Sequence, residues 1–74
     1  MKEYIFVCVI GGKERWLQIL GSSSGVYQVF WDAVLIGTME PHIDDDIGIK
    51  WRTHNDILKP HVEQIGNYIM RCDS

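Results

Sequence analysis

The chain lacks any long hydrophobic run. Its longest apolar stretch, Tyr4–Ile10, has seven residues, whereas a membrane-spanning helix needs about 20. Glu3 precedes this stretch, which is also too short for the apolar segment of a secretory signal together with its cleavage site. We therefore expect a soluble, cytoplasmic protein that does not enter a membrane.

Basic residues are also few. Seven Lys and Arg stand against ten Asp and Glu, so the formal net charge is -3. Nucleic-acid affinity rests mainly on Lys and Arg that neutralise phosphates, and anionic membrane surfaces attract the same cations. The composition thus predicts neither nucleic acid nor a membrane as a partner.

Cysteine is scarce. Cys8 lies in the first apolar stretch and Cys72 near the end of the chain. One pair without a secretory signal is typical of two reduced thiols. A Cys8–Cys72 disulfide is the less favoured alternative, because sequence position does not establish the Cα approach that it needs.

The chain is short, and its 74 residues predict one small domain, residues 1–74. A chain of this length buries roughly 60% of the surface that its unfolded form exposes, so one core leaves it marginally stable. Domains of this size often depend on disulfides, a metal or a partner subunit.

Strand patterns fill the first two thirds of the sequence. β-Branched and aromatic residues cluster or alternate there between turn residues. The predicted strands are Tyr4–Ile10, Lys13–Leu20, Val26–Trp31, Val34–Met39 and Ile47–Thr53.

Four short segments connect these strands. Gly11-Gly12 suits the positive φ angles of a tight hairpin, Ser22–Ser24 belongs to a flexible connection, and Asp32-Ala33 marks a turn. We expect Pro41 to end the fourth strand and residues 42–46 to form a polar loop.

One helix follows. Pro60 is poorly tolerated inside a helix, so it is expected in the first turn of a helix over Lys59–Arg71. One apolar stripe at helical spacing comprises Leu58, Val62, Ile65 and Ile69. The predicted fold class is α+β: an antiparallel β-meander of about five strands with a single C-terminal α-helix packed on one face.

This helix is too small to cover the sheet. About twelve residues give a helix ~18 Å long and ~10 Å wide, whereas five strands span roughly 20 Å. The first and third strands nevertheless carry apolar residues on both faces. Either the sheet curls into a small barrel or a second copy covers it, and we favour a homodimer.

Tryptophan is abundant, with three residues in the chain. Tryptophan is common both in cores and at binding hot spots. The alternation of Ile47, Ile49 and Trp51 places Trp51 in the core, whereas Trp16 and Trp31 are less constrained. Trp16, Tyr27 and Trp31 are therefore the interface candidates, with core packing an equally good alternative for each.

Catalytic, cofactor and metal sites are not expected. His42, Asp44–Asp46, His54 and His61 carry ligand groups, but their spacing matches no metal motif. No catalytic residue is assigned, because Cys8 lies in a predicted core strand. Lys50 and Arg52 share one face of the fifth strand. One interpretation is a groove that binds single-stranded nucleic acid; the other is the solvated face of an amphipathic strand, which the acidic composition favours.

Several short segments resemble a known group of proteins. They are Tyr27-Gln28-Val29-Phe30-Trp31-Asp32, Ile36-Gly37, Lys50-Trp51 and Ile65-Gly66-x-x-Ile69. Over residues 26–70 the pattern resembles short uncharacterised bacterial proteins common in gut Bacteroidetes, which have a β-meander, a tryptophan in its last strand and one C-terminal helix. The Asp-Ala turn and Pro60 depart from it. The resemblance implies the fold and small homo-oligomers, with no assigned activity and no site residues.

Two functional hypotheses follow. The first is a non-enzymatic protein–protein interaction module, expected to self-associate, whose uncovered apolar sheet face meets a second copy or another protein. The alternative is a small acidic inhibitor or antitoxin-like protein that acts on a basic partner protein, and its support is the acidic cluster of Glu40 and Asp44–Asp46.

Overall fold

The computed structural model describes residues 2–73 and confirms the predicted α+β fold. Within these residues, five antiparallel strands form one sheet in the order β1-β2-β3-β4-β5, and one helix follows. The elements are β1 (Lys2–Ile10), β2 (Lys13–Gly21), β3 (Tyr27–Trp31), β4 (Val34–Asp44), β5 (Gly48–Thr53) and α1 (Val62–Asp73). Each strand pairs with its neighbours in the chain, as a meander requires.

Two-residue turns close the first and third hairpins. Gly11 and Gly12 have φ angles of 62° and 80°, and Asp32 and Ala33 have φ angles of 51° and 64°. Positive φ at both central positions matches the right-handed twist of the strands. Glycine reaches this conformation without strain, whereas Ala33 adopts it despite its Cβ.

The fourth strand does not end at Pro41, which corrects the predicted loop over residues 42–46. β4 continues to Asp44, and Pro41 pairs with Trp51. The N–H of Trp51 points away from β4, towards the carboxylate of Glu63, so Pro41 and Trp51 form a pair without hydrogen bonds. The side of Pro41 that lacks an N–H therefore faces away from β5. β3 pairs with β4 only as far as Met39, so no neighbouring strand needs a hydrogen bond from Pro41 on that side.

The helix begins at Val62, three residues after the predicted Lys59. Asn55 causes the difference, because its Oδ1 accepts hydrogen bonds from the N–H groups of Ile57 and Leu58, at 2.8 and 3.1 Å. These bonds stabilise a separate turn before the helix. Pro60 lies in this preceding turn and not in the first turn of α1.

The core lies between one face of the sheet and the segment from Leu58 to Ile69. We call this face the inner face and the opposite one the outer face. α1 contacts both edge strands, β5 and β1, so the sheet curls around the helix. The buried core residues are Tyr4, Cys8, Leu17, Ile19, Val29, Met39, Trp51, Leu58, Val62, Ile65 and Ile69. All four residues of the predicted helical stripe are among them.

Candidate functional site

The outer face of the sheet carries exposed apolar side chains. Side chains alternate between the two faces of a strand, and burial alternates along β1 in the same way. Tyr4 and Cys8 are buried on the inner face, whereas Ile5, Val7 and Val9 are exposed on the outer face. The first strand is therefore apolar on both sides but covered on only one.

Strand register joins these residues to apolar side chains on other strands. Val7 lies directly opposite Trp16. Ile5 lies opposite Gln18, which lies opposite Phe30, and Phe30 in turn lies opposite Leu35. We call the five exposed apolar residues of this face the outer patch: Ile5, Val7, Val9, Trp16 and Leu35. Half-buried Phe30 connects its two ends.

One polar residue lies within the outer patch. Gln18 sits between Ile5 and Phe30, and its amide nitrogen donates a hydrogen bond to the carboxylate of Glu3. Glu3 and Glu14 also lie on this face, opposite Leu20 and Val9. An apolar centre with polar residues at its rim is the usual anatomy of a protein–protein interface.

Trp16 is the one predicted interface residue that lies in the outer patch, and its side chain is 65% exposed. The other two lie on the inner face. Tyr27 packs between Tyr4 and Trp51, with ring centroids 6.3 and 5.4 Å away. The structure thus separates Trp16 from Tyr27.

Trp31 is half-buried against the core, and a cation covers its ring. The Arg15 guanidinium lies 4.3 Å from the ring centroid, a cation–π contact. Packing accounts for both Tyr27 and Trp31, so of the three candidates only Trp16 contributes to the surface considered below.

The residues considered for metal binding do not converge. Among residues 2–73, no three His, Cys, Asp or Glu side chains are placed to share a metal ion. Asp44 instead shapes the β4–β5 turn, since its Oδ1 accepts hydrogen bonds from the N–H groups of Asp46 and Ile47, at 2.9 and 3.3 Å. Asp44 therefore has a local structural role.

Lys50 and Arg52 lie on the outer side of β5, beside a cavity of about 530 Å³ that Lys59 also lines. Acidic groups accompany these cations. Glu40 is the cross-strand partner of Arg52, and Lys59 Nζ lies 3.2 Å from Asp56 Oδ1. The cavity is thus of mixed charge, and only Trp51 among its lining residues offers a large aromatic surface.

Cys8 and Cys72 are both free thiols in this structure. Cys8 is buried on the inner face, and burial raises the pKa of its thiol. Because the thiolate is the reactive form, this environment makes Cys8 a poor nucleophile. Cys72 is exposed near the end of α1.

The sequence contained a signal for the outer patch that the choice of single residues missed. Apolar residues at every position from Tyr4 to Ile10 predict a strand with two apolar faces. Ile5, Val7 and Val9 follow from this pattern once one face is assigned to the core. Leu35 does not, because its face depends on a register shift between Val29 and Phe30.

Comparisons with known proteins found no relative of this chain. No family model matches the chain, and neither a curated protein nor a solved structure showed a significant match. No helix within residues 2–73 has the length and apolar character to span a membrane.

Proposed function

We propose that this chain is a non-enzymatic protein–protein interaction module that self-associates through the outer patch. The observation that carries the proposal is the apolar character of the outer face. Exposed apolar side chains of β1, β2 and β4 lie on it, half-buried Phe30 of β3 lies between them, and no segment within residues 2–73 covers it. Contiguous exposed apolar surface of this kind marks interaction sites in soluble proteins.

A second copy fits this surface for a physical reason. The core of the domain contains few large side chains outside the sheet, since only Leu58, Val62, Ile65 and Ile69 come from the segment that covers it. A domain of this size gains stability when association buries further apolar area, at about 25 cal/mol per Å². Self-association supplies that burial to every copy.

Sedimentation equilibrium over a concentration series tests the proposal. The chain has a mass of 8.6 kDa, and we expect a dimer of twice that mass at high micromolar concentration. A single species of 8.6 kDa throughout the series would show that the chain does not self-associate.

Two matched valine variants locate the contact surface. Val9 in the outer patch is 59% exposed, and Val34 outside it is 63% exposed. We expect Val9→Ser to raise the dimer dissociation constant about tenfold, equivalent to about 1.4 kcal/mol, and Val34→Ser to leave it within about twofold. Equal effects of the two variants would contradict the assignment to the outer patch.

A further inference from the structure

β1 is an unpaired edge strand without the usual protection. Natural edge strands are short, charged, interrupted by proline or distorted by bulges, which prevents pairing with another chain. β1 has nine residues and an unbroken register with β2. Its charges are confined to Lys2 and Glu3, and no charge or proline follows from Tyr4 to Ile10.

The opposite edge, β5, is protected. It has six residues, and Lys50 and Arg52 supply charge. The N–H of Trp51, which points away from β4, donates to Glu63 Oε1 of α1 at 3.3 Å. The two edges of the same sheet therefore differ, and only β1 has the properties of a pairing edge.

The hairpin geometry shows which backbone groups of β1 are free. Ile10 and Lys13 flank the Gly11-Gly12 turn, and a two-residue turn of this kind closes on a hydrogen-bonded pair. Such pairs alternate along an antiparallel ladder, so the even-numbered residues of β1 bond to β2. The N–H and C=O groups of Ile5, Val7 and Val9 point to the open edge.

We propose that β1 pairs antiparallel with β1 of a second copy about a two-fold axis at Val7, which gives a continuous ten-stranded sheet. This inference rests on the proposed self-association and specifies its geometry. Val7 lies opposite Val7 of the second copy, and Ile5 opposite Val9. Three such pairs exchange about six backbone hydrogen bonds, and each pair is apolar on the outer face.

The neighbouring registers are less favourable. Centring the pairing on Phe6 places Glu3 opposite Val9 of the second copy, so apolar side chains match only from Tyr4 to Cys8. Centring it on Cys8 places Ile5 opposite Gly11, which has no side chain to pack. Only the register centred on Val7 matches apolar side chains from Tyr4 to Ile10 along the whole seam.

This pairing also joins the two outer patches. Val7 lies between Trp16 of its own copy and Val7 of the second copy. One row on the outer face thus runs from Trp16 through both valines to Trp16 of the second copy. Three of the five residues of the outer patch lie in β1, so pairing at this edge buries most of the patch against the second copy.

Engineered cysteines test this geometry against a face-to-face dimer. In a Cys72→Ser background, we compare Val7→Cys with Trp16→Cys under copper-phenanthroline oxidation and measure the covalent dimer by mass. In the proposed dimer the Cα atoms at position 7 lie about 5.5 Å apart, within disulfide range. Those at position 16 are three strand spacings apart, about 14 Å, and do not reach each other.

The outcomes separate this inference from the proposed function. Edge pairing is supported if the Val7→Cys variant cross-links and the Trp16→Cys variant does not. A sedimenting dimer in which only Trp16→Cys cross-links would overturn it and keep self-association through the face. Cross-linking of the Cys72→Ser parent through Cys8 would overturn the register, and a monomer in all variants would overturn both proposals.

A proline variant gives a second test. The N–H of Val7 points to the open edge, so Val7→Pro removes two hydrogen bonds of the dimer, one from each copy, but none to β2. We expect Val7→Pro to raise the dissociation constant at least about tenfold with the far-ultraviolet circular dichroism retained. Val7→Thr, which keeps the N–H, is the matched control and should remain dimeric. A Val7→Pro protein that dimerises like the parent would contradict edge pairing.

Discussion

Gly66 in α1 lies directly against the indole ring of Trp51 in β5. A Cβ atom at position 66 would overlap Cγ, Cδ1 and Nε1 of that ring. Glycine at position 66 therefore lets the helix approach the sheet more closely than any residue with a Cβ would permit. Because Trp51 is buried, this contact sets how α1 docks against β5.

Gly66→Ala should destabilise the fold although alanine is the better helix former. Alanine gains up to about 1 kcal/mol of helix propensity, but overpacking at a rigid ring costs about 1–3 kcal/mol. We expect urea unfolding to show a net loss of up to about 2 kcal/mol. Asn67→Ala, one residue along on the exposed side of α1, is the control and should not lower the stability. A Gly66→Ala protein as stable as that control would show that the indole moves aside.

The sequence predicted the fold well because its signals are local. Turn residues separate the strands, and Leu58, Val62, Ile65 and Ile69 recur at helical spacing. The two errors have different causes. Pro41 fits within β4 because of tertiary context, since β3 does not extend alongside it. The helix begins late for a local reason, because Asn55 accepts hydrogen bonds from Ile57 and Leu58 and organises a turn of its own.

The candidate site was less predictable, since exposure is a tertiary property. The two-sided apolar pattern of β1 predicted an uncovered surface, but composition did not distinguish Trp16 from Trp31. That distinction depends on Arg15, which covers the ring of Trp31 on the inner face, while Trp16 remains exposed on the outer face. Self-association and the resemblance to Bacteroidetes proteins stay predictions.

Ala33→Gly should stabilise the β3–β4 hairpin. Ala33 has a φ angle of 64°, a left-handed conformation that costs an L-residue roughly 1–2 kcal/mol and glycine almost nothing. Part of the gain is offset by the greater freedom of glycine in the unfolded chain, so we expect an increase of about 0.5–1 kcal/mol in the free energy of unfolding.

Ala33→Val is the opposite control, because a β-branched residue is least compatible with positive φ. It should lower the urea midpoint. A lower midpoint for Ala33→Gly as well would show that the turn relaxes to another conformation when the side chain is removed.

Native alkylation should distinguish the two cysteines. Cys72 is exposed, whereas Cys8 is buried and burial raises the pKa of its thiol. We expect iodoacetamide at neutral pH to add one carbamidomethyl group to the folded chain and two in concentrated urea, as measured by intact mass. Cys72→Ser should take up none while folded. Rapid modification of Cys8 in that variant would mean that β1 separates readily from the core.

Tyr4 and Asp73 should make stability depend on pH at both extremes. Tyr4 Oη donates a hydrogen bond of 2.8 Å to Asp73 Oδ1, and Lys2 Nζ lies 3.2 Å from the same oxygen. Burial and this hydrogen bond raise the pKa of Tyr4 from 10.0 to about 12. The hydrogen bond from Tyr4, followed by the contact with Lys2, lowers the pKa of Asp73 below 3.8.

The signs follow from proton linkage. Above pH 10 the unfolded chain loses the Tyr4 proton first, so the stability from this group falls as the pH rises towards 12. Below pH 4 the unfolded chain binds the Asp73 proton first, so the stability from that carboxylate falls as the pH drops through its lowered pKa. Urea midpoints measured from pH 2 to 11 should therefore decline at both ends, and Tyr4→Phe should reduce both declines. If the parent and Tyr4→Phe gave parallel curves, the Tyr4–Asp73 hydrogen bond would contribute to neither decline.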